Sequence, residues 1–194
     1  SGDMLMIVKN NYFWTEKEKK ESGEGSAGAV PAFLANGDRA KVLRVSNYIE
    51  LYGFRFATLL LQLPDYDDYE MQVTGMLDTL QSEAPALTHE QQEELFRQVE
   101  EDYQHFVPLK ADRMKSIRQD AYFNALQIKY AYAVTCHKAQ GGQWAHVYVD
   151  QGYMTDDMLT PDYIHWLYTA FTRATDKLFL VNWPKEQTCE PTDL

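Results

Sequence analysis

Two short stretches hold most of the residues able to do chemistry. In 130–144, Tyr-Ala-Tyr-Ala-Val-Thr-Cys-His-Lys-Ala-Gln-Gly-Gly-Gln-Trp, an apolar run passes straight into polar residues and glycine. Strand ends of this kind are where open α/β sheets place ligands. Thr135 offers a hydroxyl, His137 and Lys138 offer donors, Gln140 offers an amide, and Gly141-Gly142 let a backbone approach an anion closely. A phosphate group suits such a set; a polar turn between two strands, with Lys138 in solvent, accounts for the same residues. The second stretch is 168–178, Tyr-Thr-Ala-Phe-Thr-Arg-Ala-Thr-Asp-Lys-Leu, on the later part of a helix that starts near Pro161, a residue suited to a first turn. Between the small residues Thr172 and Ala174, Arg173 can extend into a neighbouring site and stabilise charge on a transferred phosphoryl group, an effect worth about 10³-fold or more. Capping or ion pairing is the commoner task of an arginine near a helix end.

These residues need elements to hold them. Met4 to Val8 reads as a short buried strand. Thr15 to Gly28 is charged and then Gly/Ser-rich, without apolar periodicity, and reads as a mobile loop. After the turn signal Asn36-Gly37-Asp38, the segments 40–50, 54–63 and 69–78 are rich in β-branched, leucine and aromatic residues, as in a small antiparallel barrel or sheet. A capping-box pattern at 88–91 opens a helix to about Tyr103, and a second helix falls at 110–120. Beyond Asp120 the order is a strand from Ile128 to Val134, a glycine-containing loop, a strand at 146–150, a helix at 161–174 and a strand at 177–182. That is α/β order with a parallel sheet.

The chain has 194 residues, 45% of them hydrophobic, enough to bury a core. Its net charge of −11 argues against a free-standing nucleic-acid binder, since phosphate affinity comes from clustered lysine and arginine. A strand held between two lobes needs only a few local contacts from each. Cys136 and Cys189 have neither the count nor the spacing of a disulfide framework or zinc site, and His89, His105, His146 and His165 show no metal-ligand spacing. Without a signal-like N-terminus or an apolar run of roughly 18 residues, the expectation is a soluble, cytoplasmic protein with no membrane partner.

Together the two chemical stretches resemble motifs V and VI of superfamily 1 helicases, in their RecD-like branch. Thr135, His137, Lys138, Gln140 and Gly141 match the first motif, and Tyr168, Ala170, Thr172, Arg173 and Ala174 match the second, in the same order. Gly2-Asp3, Asn10-Asn11-Tyr12 and Asn36-Gly37-Asp38 resemble that family's entry into a small inserted barrel. The resemblance implies a RecA-like second motor domain, with a parallel sheet and flanking helices, made from residues 1–29 and 121–194. An SH3-like β-barrel with a helical segment would be inserted at 30–120. It implies that Arg173 is an arginine finger, that Gly141, Gly142 and Gln143 lie at the nucleotide, and that Thr135, His137, Lys138 and Gln140 face DNA. Gln143 departs from the glutamate many relatives carry there, so a charge-assisted bond to the nucleotide sugar is lost.

A phosphate-binding loop of the Gly-x-x-x-x-Gly-Lys-Ser/Thr type is missing: the glycines at 23–28 lack a following Lys-Ser/Thr. ATP and magnesium would then be held mainly by the N-terminal motor domain of the same parent chain, and this segment alone would be inactive. The implied partners are that domain, single-stranded DNA and the nuclease subunits of an ATP-dependent exodeoxyribonuclease acting in DNA repair. Two other readings stand beside the motor: a non-catalytic interaction domain on the same fold, and a protein-binding barrel at 30–120 for which residues 121–194 are dispensable.

Overall fold

The computed structural model describes residues 1–22 and 30–188, so the glycines at 23–28 and Cys189 lie outside the described residues. The chain divides into two compact units, Ser1–Ala133 and Val134–Leu194.

Unit 1 is built on a closed five-stranded barrel of β1 (Met4–Ile7), β2 (Arg39–Leu51), β3 (Phe54–Leu63), β4 (Tyr69–Met76) and β5 (Leu126–Tyr130). β2, β3 and β4 form an antiparallel meander at the positions their composition indicates. β1 pairs antiparallel with β2 and β5, and β5 closes the ring parallel to β4. Along β3 apolar residues turn inward, and Leu59, Leu61 and Leu63 join Leu5, Ile7, Val73 and Ile128 in the barrel core. The helices α3 (His89–Gln104) and α4 (Lys110–Arg118) carry Leu95, Val99 and Ile117 into a second core with Phe54, Phe56 and Met76. α3 begins with the expected capping box, Thr88 accepting from the Gln91 N–H while the Gln91 side chain accepts from the Thr88 N–H. At its other end the Tyr103 hydroxyl donates to Asp120 at 3.0 Å, and burial, aided by that carboxylate, pushes it up to about 12. The turn after β4 is α2 (Asp78–Gln81), whose buried Thr79 hydroxyl accepts from the Ile128 N–H at 3.1 Å.

Two sequence expectations change here. Residues 15–22 are not loop but part of α1 (Phe13–Ser22). Its Glu-Lys-Glu-Lys-Lys run consists of good helix formers, and its first turn is anchored by Phe13, Trp14 and the buried Thr15, whose hydroxyl donates to the Ala32 carbonyl at 3.1 Å. Trp14, 4% exposed, packs in the barrel core and donates from Nε1 to the Asn124 carbonyl at 2.9 Å. The placement of the flanking apolar runs changes as well. The runs near residues 4 and 128, each expected in the motor domain, supply one barrel strand apiece, β1 and β5.

Unit 2 holds a two-stranded parallel sheet of β6 (Trp144–Asp150) and β7 (Ala174–Val181), linked through α5 (Pro161–Phe171). The strand expected at 128–134 is not in this sheet, because it ends at Tyr130 within the barrel. A parallel pair is therefore the extent of the α/β sheet among the described residues. Val149 and Ala170 are buried, whereas Tyr148 stacks on Phe179 with ring centres 4.5 Å apart and stays 69% exposed. Parallel strands normally have both faces covered, so this sheet leaves apolar surface unsatisfied.

Candidate functional site

α5 starts at Pro161, where the missing N–H costs nothing, and ends at Phe171 with Thr172 as its C-cap. Arg173 thus lies just past the helix rather than on it. The reason is the adjoining ladder: Trp144 pairs with Ala174, and the Trp144 N–H donates to the Arg173 carbonyl at 2.9 Å, which draws the chain into extended form.

The stretch before β6 folds as one 3₁₀ turn over Cys136–Ala139, with Thr135 extended at its start. The Ala139 N–H donates to the Thr135 carbonyl at 3.1 Å, and Ala139 itself is buried. The turn packs against α5, where the Cys136 thiol donates to the Trp166 carbonyl at 3.6 Å. Burial pushes that thiol up, against the opposing pull of the Arg173 charge. Trp166 is itself held in an aromatic stack between Tyr163 and Trp183.

Thr135, His137, Lys138, Gln140, Gly141 and Gln143 are exposed, and Gly142 is half-buried. Gly141 sits at φ 85°, in the left-handed region that favours glycine. At Gly142 the need is space: a Cβ there would lie 2.3 Å from the Trp144 ring, which rests directly on this glycine. Trp144 therefore packs beside the first motif.

The structure brings the two motifs together through Arg173. Its Nη1 donates to the Gly142 carbonyl, its Nε to the Thr169 carbonyl and its Nη2 to the Thr172 hydroxyl, each at 3.0 Å. The bond to the Thr169 carbonyl is the helix-end capping that an arginine there commonly performs, and the bond to Thr172 links two adjacent side chains. The bond to Gly142 is different, because it ties the helix end to the glycine loop. This junction lies at the amino ends of β6 and β7. The inference from ligands at strand carboxyl ends does not hold for it, since the preceding strand belongs to the barrel.

His137 and Gln140 also border a cavity of about 670 Å³ together with Gln151, Tyr163 and Trp166. Gln151, which nothing in the sequence marked, is buried and donates to the Gln187 amide oxygen at 2.9 Å. Its only sequence signal is its place immediately after β6. Among the described residues no group of three His, Cys, Asp or Glu side chains is placed to hold a metal ion. Nor is any helix there long and apolar enough to cross a membrane.

Residues 130–181 match the UvrD-like helicase C-terminal domain. The match starts at the end of β5 and runs through all of β6, α5 and β7, so it contains the Gly142–Arg173 junction and omits nearly all of the barrel. It covers well under half of the chain, and over that segment the likeness is to a helicase C-terminal domain. Among solved structures, the chain is similar to the Pif1 helicase from Candida albicans, at 14% identity and a TM-score of 0.38, over 95% of this chain and 32% of that one. It thus spans about a third of that chain's length. No curated protein matches.

Proposed function

We propose that this chain is the C-terminal motor segment of an ATP-dependent DNA helicase of the RecD-like kind. In this reading ATP and magnesium are held mainly by a first motor domain, and Arg173 is presented to the γ-phosphoryl group as the arginine finger. The observation that carries it is the Gly142–Arg173 bond, which ties the arginine of the second motif to the residue immediately after the first, inside the matched segment. A guanidinium has five N–H donors, and among the described residues Arg173 commits three, which leaves two for phosphoryl oxygens. The chemistry supplied is stabilisation of charge in the transition state. Gly141, Gly142 and Gln143 border the nucleotide, where the Gln143 amide accepts from the sugar in place of a carboxylate. Thr135, His137, Lys138 and Gln140, exposed on and around the 3₁₀ turn, face the backbone of single-stranded DNA. Exonuclease partners and a repair setting follow from the RecD-like reading alone.

The exposed apolar sheet face around Tyr148 and Phe179 favours a second reading, an interaction domain on a helicase fold without catalysis. Single-strand binding separates the two. In the protein carrying its first motor domain, each neutralised phosphate of a single strand contributes a slope of about 0.7 to the fall of log affinity with log salt. Lys138→Ala is expected to reduce that slope by about 0.7, as read by fluorescence anisotropy of a labelled oligonucleotide. An unchanged slope removes Lys138 from the DNA contact, and a protein with no single-strand affinity favours the interaction domain.

A further inference from the structure

The bonds around Arg173 identify a residue that the two motif roles leave unassigned. Of the three acceptors that orient the guanidinium, two are backbone carbonyls, those of Gly142 and Thr169, and the third is the hydroxyl of Thr172. That hydroxyl is itself fixed. It lies 2.7 Å from the Tyr168 carbonyl and 3.3 Å from the Thr169 carbonyl, both on α5, and donates its single proton to the helix. Its lone pairs are then left to face Nη2 of Arg173 at 3.0 Å. With its proton committed to the helix, Thr172 can only accept from the arginine, and so it sets the rotation of the guanidinium plane.

We infer that Thr172 is the positioning residue of Arg173, fixing the direction in which its two remaining N–H groups point. This rests on the reading of Arg173 as the finger. A side chain bonded on three edges is held before phosphate arrives, and a preorganised donor stabilises transition-state charge better than one that must be ordered during the reaction. The effect of losing Thr172 should therefore fall on turnover rather than on nucleotide binding.

The test is steady-state ATPase of the protein with its first motor domain, saturated with single-stranded DNA, for Thr172→Val, Thr172→Ser and Arg173→Ala. Thr172→Val keeps the shape and removes the hydroxyl; it is expected to lower kcat about 10-fold, the scale of one hydrogen bond to a charged group, with KM for ATP within about two-fold. Thr172→Ser retains the hydroxyl and should restore most of the rate. Circular dichroism checks folding, and Thr172→Ala takes the place of the valine variant if the latter is unfolded. A valine variant at the wild-type rate, alongside an inactive Arg173→Ala, overturns the positioning role and leaves the finger intact. Equal losses in the valine and serine variants overturn it as well, because the hydroxyl is then not what matters. Full activity in Arg173→Ala overturns the finger reading and this inference with it.

Discussion

Replacing Arg173 with alanine is expected to lower the single-strand-stimulated ATPase of the motor-complete protein by about 10³-fold or more while nucleotide still binds. The size follows from where the charge acts. A guanidinium that meets the γ-phosphoryl group only as charge develops contributes to the transition state and little to the ground state, so kcat falls and KM does not. Arg173 is suited to this because its carbonyl is pinned by the Trp144 N–H and its side chain by three acceptors, which places a fixed donor at the junction of both motifs. Arg173→Lys should recover only part of the loss, since an ammonium keeps the charge but cannot span Gly142, Thr169 and Thr172 at once. Equilibrium binding of a labelled nucleotide, measured beside the rate, separates a catalytic defect from a binding one. A variant that loses nucleotide affinity in proportion to its rate would show that Arg173 only binds.

The largest expected effect on stability lies in unit 1. Phe56 is fully buried on β3, at the point where the barrel meets α3 and α4, and packs edge-on against Tyr122 at 5.2 Å. Phe56→Ala removes a ring from a core that cannot close over the space, at a cost of about 3–5 kcal/mol. Trp14 is the one tryptophan of unit 1, the others being Trp144, Trp166 and Trp183, so urea unfolding followed through Trp14 in a variant lacking those three reports this unit. A loss below about 1 kcal/mol would mean that the two cores of unit 1 can repack around the gap.

Much of the barrel was legible because β2, β3 and β4 are long, rich in apolar and β-branched residues and separated by turn signals. The strands that close it were assigned elsewhere for a physical reason. Met4–Ile7 and Leu126–Tyr130 are short apolar runs, and such a run reports burial without saying which sheet buries it. The helix over residues 13–22 is hard to read because its anchors, Phe13, Trp14 and Thr15, are consecutive at its first turn and leave no period in the charged residues that follow. At the site, residue types were readable before geometry. Gly142 and Arg173 stood out by kind and spacing, but their direct bond, and its place at the amino ends of β6 and β7, required the fold. Thr172 registered as a small neighbour of the arginine because its importance lies in a back-bond to Tyr168, which a sequence does not display.

On the proposed function, Val134–Leu194 completes an ATP site whose other half lies on a first motor domain. The most direct measurement is ATPase with and without single-stranded DNA, for this chain alone and for the protein that includes that domain. No hydrolysis is expected from the chain alone, and DNA-stimulated hydrolysis is expected from the two domains together. Two domains that leave ATP intact in the presence of single-stranded DNA would contradict it.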